Sequence, residues 1–117
     1  MKYKSIVYLT MALVLSSCYK DNEEYLYGEV DCDTTTVSFN KDIFPIIDMN
    51  CTVTGCHTAG GTAPGTFENY NQIKAKVDDG EFKNRVLISK DMPPGVPLSD
   101  CQILHITKWL DDGAPNN

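Results

Sequence analysis

The chain has 117 residues, with 16 acidic against 10 basic side chains and a formal net charge of −6. That balance excludes the polycationic surface that nucleic acid requires and any purely electrostatic hold on an anionic membrane. It favours encounter with a basic partner surface, in a salt-dependent way. The length allows one small domain, short of apolar core for its size, and the five cysteines are the candidate staples.

Residues 1–17 read as a targeting segment and stand outside fold reasoning. Lys2 and Lys4 form a basic start and Ile6 to Leu15 an apolar run, too short for a bilayer span of about 20 residues. The run ends in Leu15-Ser16-Ser17-Cys18, which resembles the lipobox of bacterial lipoproteins. The resemblance implies that Cys18 is acylated and becomes the new N-terminus. It would anchor the protein to a membrane of the cell envelope, the outer membrane first, facing the periplasm or the cell exterior. A plain secretory signal and an uncleaved anchor are the alternatives. Cleavage would leave eight basic against 16 acidic residues, a formal charge of −8. In an exported chain cysteines pair, carry cofactors or carry lipid.

Residues 18–31 contain Asp21, Glu23, Glu24, Glu29 and Asp31 without helical period, and read as an acidic flexible tether. An acidic cluster in this place also resembles the surface-export signals of some Gram-negative lipoproteins. The expected domain is 32–117. Val37 to Phe39 can add a short extended piece. The first predicted helix is Phe39 to Asn50, with Ser38 or Asn40 as cap and Ile43, Phe44, Ile46 and Ile47 on its apolar face. Pro45 removes a backbone donor, so this helix is kinked or begins in two pieces.

Next comes Cys51-Thr52-Val53-Thr54-Gly55-Cys56-His57. Two cysteines with a histidine directly after the second is the pattern of covalent haem attachment. The thiols add to the porphyrin vinyl groups and the adjacent imidazole lies under the iron. The usual spacing places two residues between the cysteines; here there are four, and Gly55 makes the wider bulge cheap in backbone strain. Thr58 to Gly65, with Gly60, Gly61, Pro64 and Gly65, is a loop.

A short helix follows from Asn69 to Val77, with Tyr70, Ile73 and Val77 on one face, ended by Asp78-Asp79-Gly80. Phe82 to Ile88 is another, carrying Phe82, Val86 and Leu87, and Lys90 to Pro97 is a proline-rich loop. The last helix is the most sharply marked. Ser99 and Gln102 form a capping box, Ile103, Leu104, Ile106, Trp109 and Leu110 make the apolar stripe, and Gly113 closes it. The fold class is all-α.

A haem iron in an electron carrier needs a second axial ligand, and a thioether favours the ferrous state and raises the potential. Met1 and Met11 fall in the targeting segment and Met49 lies on the proximal side. That leaves Met92, held by Pro93 and Pro94, as the distal candidate. The alternative is a methionine that fills a core gap. With Cys18 assigned to lipid and Cys51 and Cys56 to haem, Cys32 and Cys101 remain as the economical disulfide, which the loop-entropy argument values at up to about 4 kcal/mol. The competing partition pairs Cys51 with Cys56. His105 reads as a surface or interface histidine rather than a ligand. Arg85 and Lys90 are candidates to neutralise haem propionates, or else solvated charges, and Trp109 reads as a core aromatic.

These residues together resemble the class I c-type cytochromes, the single-haem domains of exported bacterial proteins. The likeness spans about Val37 to Asn117. It runs through Phe39-Asn40-Lys41-Asp42-Ile43-Phe44-Pro45-Ile46-Ile47 and Met92-Pro93-Pro94 to Ile106-Thr107-Lys108-Trp109-Leu110-Asp111-Asp112-Gly113-Ala114. It implies a small cytochrome c-like fold, with N- and C-terminal helices crossing around one covalent haem c. It also implies thioethers at Cys51 and Cys56, His57 proximal, Met92 distal, and electron transfer to a redox protein partner rather than enzymatic chemistry. The competing expectations are a haem enzyme or gas sensor with an open distal site, and a disulfide-stapled or zinc-binding surface lipoprotein using Cys51, Cys56 and His57. The motifs of a hydrolase are missing from the sequence.

Overall fold

Pro45 decides how the first helix begins. A computed structural model describes residues 32–117; the targeting segment, Cys18 and the acidic tether lie outside the described residues. Helix α1 opens as a π turn, Phe39–Ile43, and continues as a regular α-helix, Phe44–Cys51, with Pro45 in its first turn. In the π turn Ile43 N–H reaches back five residues to the Ser38 carbonyl at 3.2 Å, and Phe44 N–H to that of Phe39. The wider register brings the chain to Pro45 where a missing donor does no harm.

Neither Ser38 nor Asn40 caps α1 with its side chain, contrary to expectation. Asn117 does so from the other end of the domain: its Oδ1 accepts Phe39 N–H at 2.7 Å and its carbonyl accepts Asn40 N–H at 3.0 Å. Ser38 instead donates its hydroxyl to the Asn117 carbonyl at 2.8 Å. The extended piece expected at Val37 to Phe39 forms no strand; Val37 is buried in coil and Phe39 is already helical.

Helix α2 spans Tyr70–Asp78 and is capped by Asn69, whose side chain accepts Gln72 N–H at 3.1 Å. Gly80, left-handed at φ 81°, turns the chain into α3, Glu81–Lys83, which widens at once into a π turn, Asn84–Ile88. Helix α4, Asp100–Asp111, starts at the capping box, with Gln102 N–H on Ser99 Oγ at 3.3 Å and Ser99 N–H on Gln102 Oε1 at 2.9 Å. It ends where Gly113 and Ala114 both turn left-handed, which returns Ala114 N–H to the Trp109 carbonyl at 2.8 Å. Among the described residues the architecture is all-α, with no strand.

The core is built where α4 packs on the first turn of α1. Trp109 is fully buried and its ring lies 5.6 Å from that of Phe39, which meets Tyr70 edge-on at 5.0 Å. Trp109 donates Nε1–H to the Pro115 carbonyl at 2.9 Å and Tyr70 its hydroxyl to that of Ala114 at 2.8 Å, so both polar tips are satisfied. Ile43, Ile47, Ile73 and Ile106 complete the packing. Leu104, placed on the apolar stripe from spacing, is instead half exposed, because the buried face is narrower than the stripe. Cys32 and Cys101 are bonded, with sulfurs 2.09 Å and Cα atoms 5.5 Å apart, and tie the start of the domain to the first turn of α4.

Candidate functional site

Helix α1 delivers Cys51 at its last turn, and the four residues after it leave as a closed bulge. Cys56 N–H returns to the Val53 carbonyl at 2.9 Å and His57 N–H to the Cys51 carbonyl at 3.1 Å. Gly55, at φ 86°, supplies the left-handed step that this turn needs. The extra residues are thereby bypassed, and the backbones of Cys51 and His57 are in direct contact. Thr52 anchors the bulge to α1, donating its hydroxyl to the Asp48 carbonyl at 2.7 Å.

The loop after His57 folds back under it. Phe67 N–H donates to the His57 carbonyl at 2.9 Å, and Thr62 N–H to that of Gly55 at 3.1 Å. Gly61 passes so close that a Cβ there would sit 1.9 Å from the Cys56 carbonyl oxygen. The imidazole of His57 stacks on Phe67, with centroids 4.1 Å apart and planes within 2° of parallel. Its Nδ1 lies 2.9 Å from the Gly65 carbonyl oxygen. A carbonyl only accepts, so Nδ1 carries the proton, which in the neutral imidazole leaves the lone pair on Nε2. This is the arrangement by which a metal-ligating histidine is oriented and made more basic.

Cys51, Cys56, His57 and Met92 all line one cavity of about 290 Å³. Its walls are mainly apolar, with Phe67, Phe82, Val86, Pro93 and Pro94 among the lining residues. Burial, with Cys56 adding to it, pushes the Cys51 thiol up to about 11, so it stays protonated at neutral pH. Both cysteines are free thiols, and the alternative Cys51–Cys56 pairing is not formed.

Arg85 reaches the cavity, as its place before the loop suggests, but Lys90 does not line it. Lys76 of α2 takes that second position, bridging Asp79 at 3.1 Å and Glu81 at 3.0 Å. The signal was Lys76 standing three residues after buried Ile73, on the same face of α2. Met49 is largely exposed and not a lining residue. His105 lies away from the cavity, its Nε2 3.0 Å from the Asp33 carbonyl oxygen. It gathers with Cys32 and Cys101 within 4.8 Å, the sole grouping of metal-type ligand atoms among the described residues. Both sulfurs there are spent in the disulfide, so no thiolate faces the imidazole. Cys51, Cys56 and His57 do not form a second such grouping among the described residues.

Comparison with known protein families, with curated proteins and with solved structures finds no match to this chain.

Proposed function

We propose that this chain is a single-haem c-type cytochrome: an electron carrier of the class I type, exported and held to a membrane of the bacterial envelope through lipid on Cys18. The observation that carries the reading is the convergence of Cys51, Cys56, His57 and Met92, the last from a loop remote in sequence, on one largely apolar cavity. The residues fit the group. Cys51 and Cys56 would hold it through thioethers, His57 through the lone pair left on Nε2, and Met92 through its sulfur. Arg85 and Lys76, which line the same cavity, would be the cations available to the carboxylates of the porphyrin.

Haem supplies a one-electron iron couple, and the protein tunes it. The Gly65 carbonyl fixes the tautomer and direction of His57, and stacking on Phe67 holds its ring plane. Phe67, Phe82 and Val86 exclude water on the buried side, which favours the less charged oxidation state. The bulge closed by His57 N–H on the Cys51 carbonyl supports the reading, because it bypasses the extra residues between the two cysteines. In this reading the chain performs no bond chemistry; a redox protein with a basic surface is its partner, given the acidic balance. No helix among the described residues is long and apolar enough to cross a membrane.

The test is production in a host competent for haem attachment, followed by intact mass and absorption spectra. The expected mass is processed polypeptide plus acyl chains plus one haem, with colour surviving acid and organic extraction. The oxidised spectrum should carry the long-wavelength sulfur-to-iron band of methionine ligation. A high-spin spectrum without that band would move the protein to the open-site class, and a colourless product would end the haem reading.

A further inference from the structure

The loop that presents Met92 is fastened to a single residue. In a regular α-helix the Arg85 carbonyl would receive the N–H of Ser89. In the π turn Asn84–Ile88 that N–H goes to Asn84 instead, at 2.7 Å, and the Arg85 carbonyl is left open. It is filled from beyond the helix by two successive donors, Asp91 N–H at 3.1 Å and Met92 N–H at 3.4 Å. The Arg85 side chain completes the clasp, donating Nε–H to Asp91 Oδ1 at 2.7 Å.

The chain can turn back so sharply because Lys90 is left-handed, at φ 52°. That conformation is unfavourable for a non-glycine residue, and it persists only where its surroundings enforce it. A widened helical turn, a left-handed lysine and three hydrogen bonds therefore converge on one residue. That residue shares the cavity wall with Met92.

We propose that Arg85 is the positioning residue for Met92. Its carbonyl and guanidinium clamp Asp91 and Met92, and so set how readily the thioether yields its place at the iron to an external ligand. The inference rests on the reading of His57 and Met92 as axial ligands, and adds the device that governs the distal one. Arg85 acts through Asp91 and the loop backbone, not by touching the iron.

The experiment uses the full chain with Arg85→Gln, Arg85→Lys, Asp91→Asn and the Arg85→Gln/Asp91→Asn double variant. The first readout is amide hydrogen exchange at Asp91 and Met92, which needs no haem. Exchange should quicken by up to about fivefold in Arg85→Gln and Asp91→Asn, the ceiling for a half-exposed ion pair. The double variant should be no faster than either single one, since both break the same bond. Amides of α4 should not change, which separates loosening of the loop from loss of fold. The second readout is the rate at which imidazole displaces the sulfur-to-iron band in the oxidised, haem-loaded protein. It should rise by the same factor, and Arg85→Lys should recover part of the loss.

Unchanged loop exchange in both single variants overturns the clasp, whether or not haem is bound. Faster exchange with unaltered imidazole entry overturns its role at the cavity. A wild-type spectrum without the sulfur-to-iron band refutes the ligand reading, a failure seen before any variant is made, and overturns the proposal with it.

Discussion

Gly61→Ala places one methyl group where the structure has no room for it. The new Cβ would stand 1.9 Å from the Cys56 carbonyl oxygen, 2.9 Å from its carbon and 3.1 Å from the Thr58 oxygen. All three are backbone atoms, so no side chain can swing aside. Relief requires moving the peptide that joins Cys56 to His57 or opening the Thr58 turn, whose Gly61 N–H bond is 2.9 Å long. Overpacking of this kind costs about 1–3 kcal/mol, and the rigidity of the neighbours points to the upper end. For a domain of this size about 3 kcal/mol lowers Tm by roughly 12–24 °C. The assay is urea and thermal unfolding of the full chain, beside the yield of covalent haem. Gly60→Ala is the control: its φ is 80° but nothing lies within 4 Å of the new carbon, so it should cost only the backbone strain of about 1–2 kcal/mol. Gly61→Ala within 0.5 kcal/mol of wild type, on the order of an ordinary surface change, would refute the packing argument.

Met92→Ala should leave haem attached while the reduction potential falls and carbon monoxide binds the ferrous protein; unaltered carbon monoxide binding would contradict distal ligation. Replacing Cys32 and Cys101 by serine opens a crosslink between residues 69 apart in sequence, and should remove up to about 4 kcal/mol from the urea-derived stability without bleaching the colour. Loss of colour in that variant, with colour retained in Cys51→Ser, would reverse the assignment of the cysteines. In the haem-free chain, alkylation of Cys51 followed by mass mapping should stay slow until the pH nears about 11. A raised value means that the reactive thiolate forms only as pH climbs towards it, so rapid modification at neutral pH would show that the thiol is not buried as described.

The terminal helices were legible because their signals are local. Ser99 and Gln102 satisfy each other's backbone within one turn, the Asn69 side chain accepts Gln72 N–H at the start of α2, and Pro45 acts on its own helix. The Cys32–Cys101 bond was also within reach of counting, since these are the two cysteines left once Cys18, Cys51 and Cys56 are given other expected roles. Leu104 falls outside the core because spacing tells which residues share a face, not how wide the covered part of that face is, and Lys90 misses the cavity because nearness in sequence to the Met92 loop does not fix where a side chain points. Lys76 was passed over because a lysine near a core position is ordinarily a solvated end on a buried stem.

Local chemistry alone settled that this is a helical chain with Cys51, Cys56 and His57 close in sequence, a methionine followed by two prolines and an acidic balance of charge. Tertiary structure decided what neither periodicity nor a capping pattern registers. Asn117 became the cap of α1, Gly61 became obligatory beneath Cys56, and the Arg85 carbonyl was freed by a π turn to hold a loop six residues away. The bringing together of residues 51–57 and Met92 belongs to the same kind. Caps and periodicity are written in hydrogen bonds a turn apart, whereas a cavity exists only once separate elements have packed against each other.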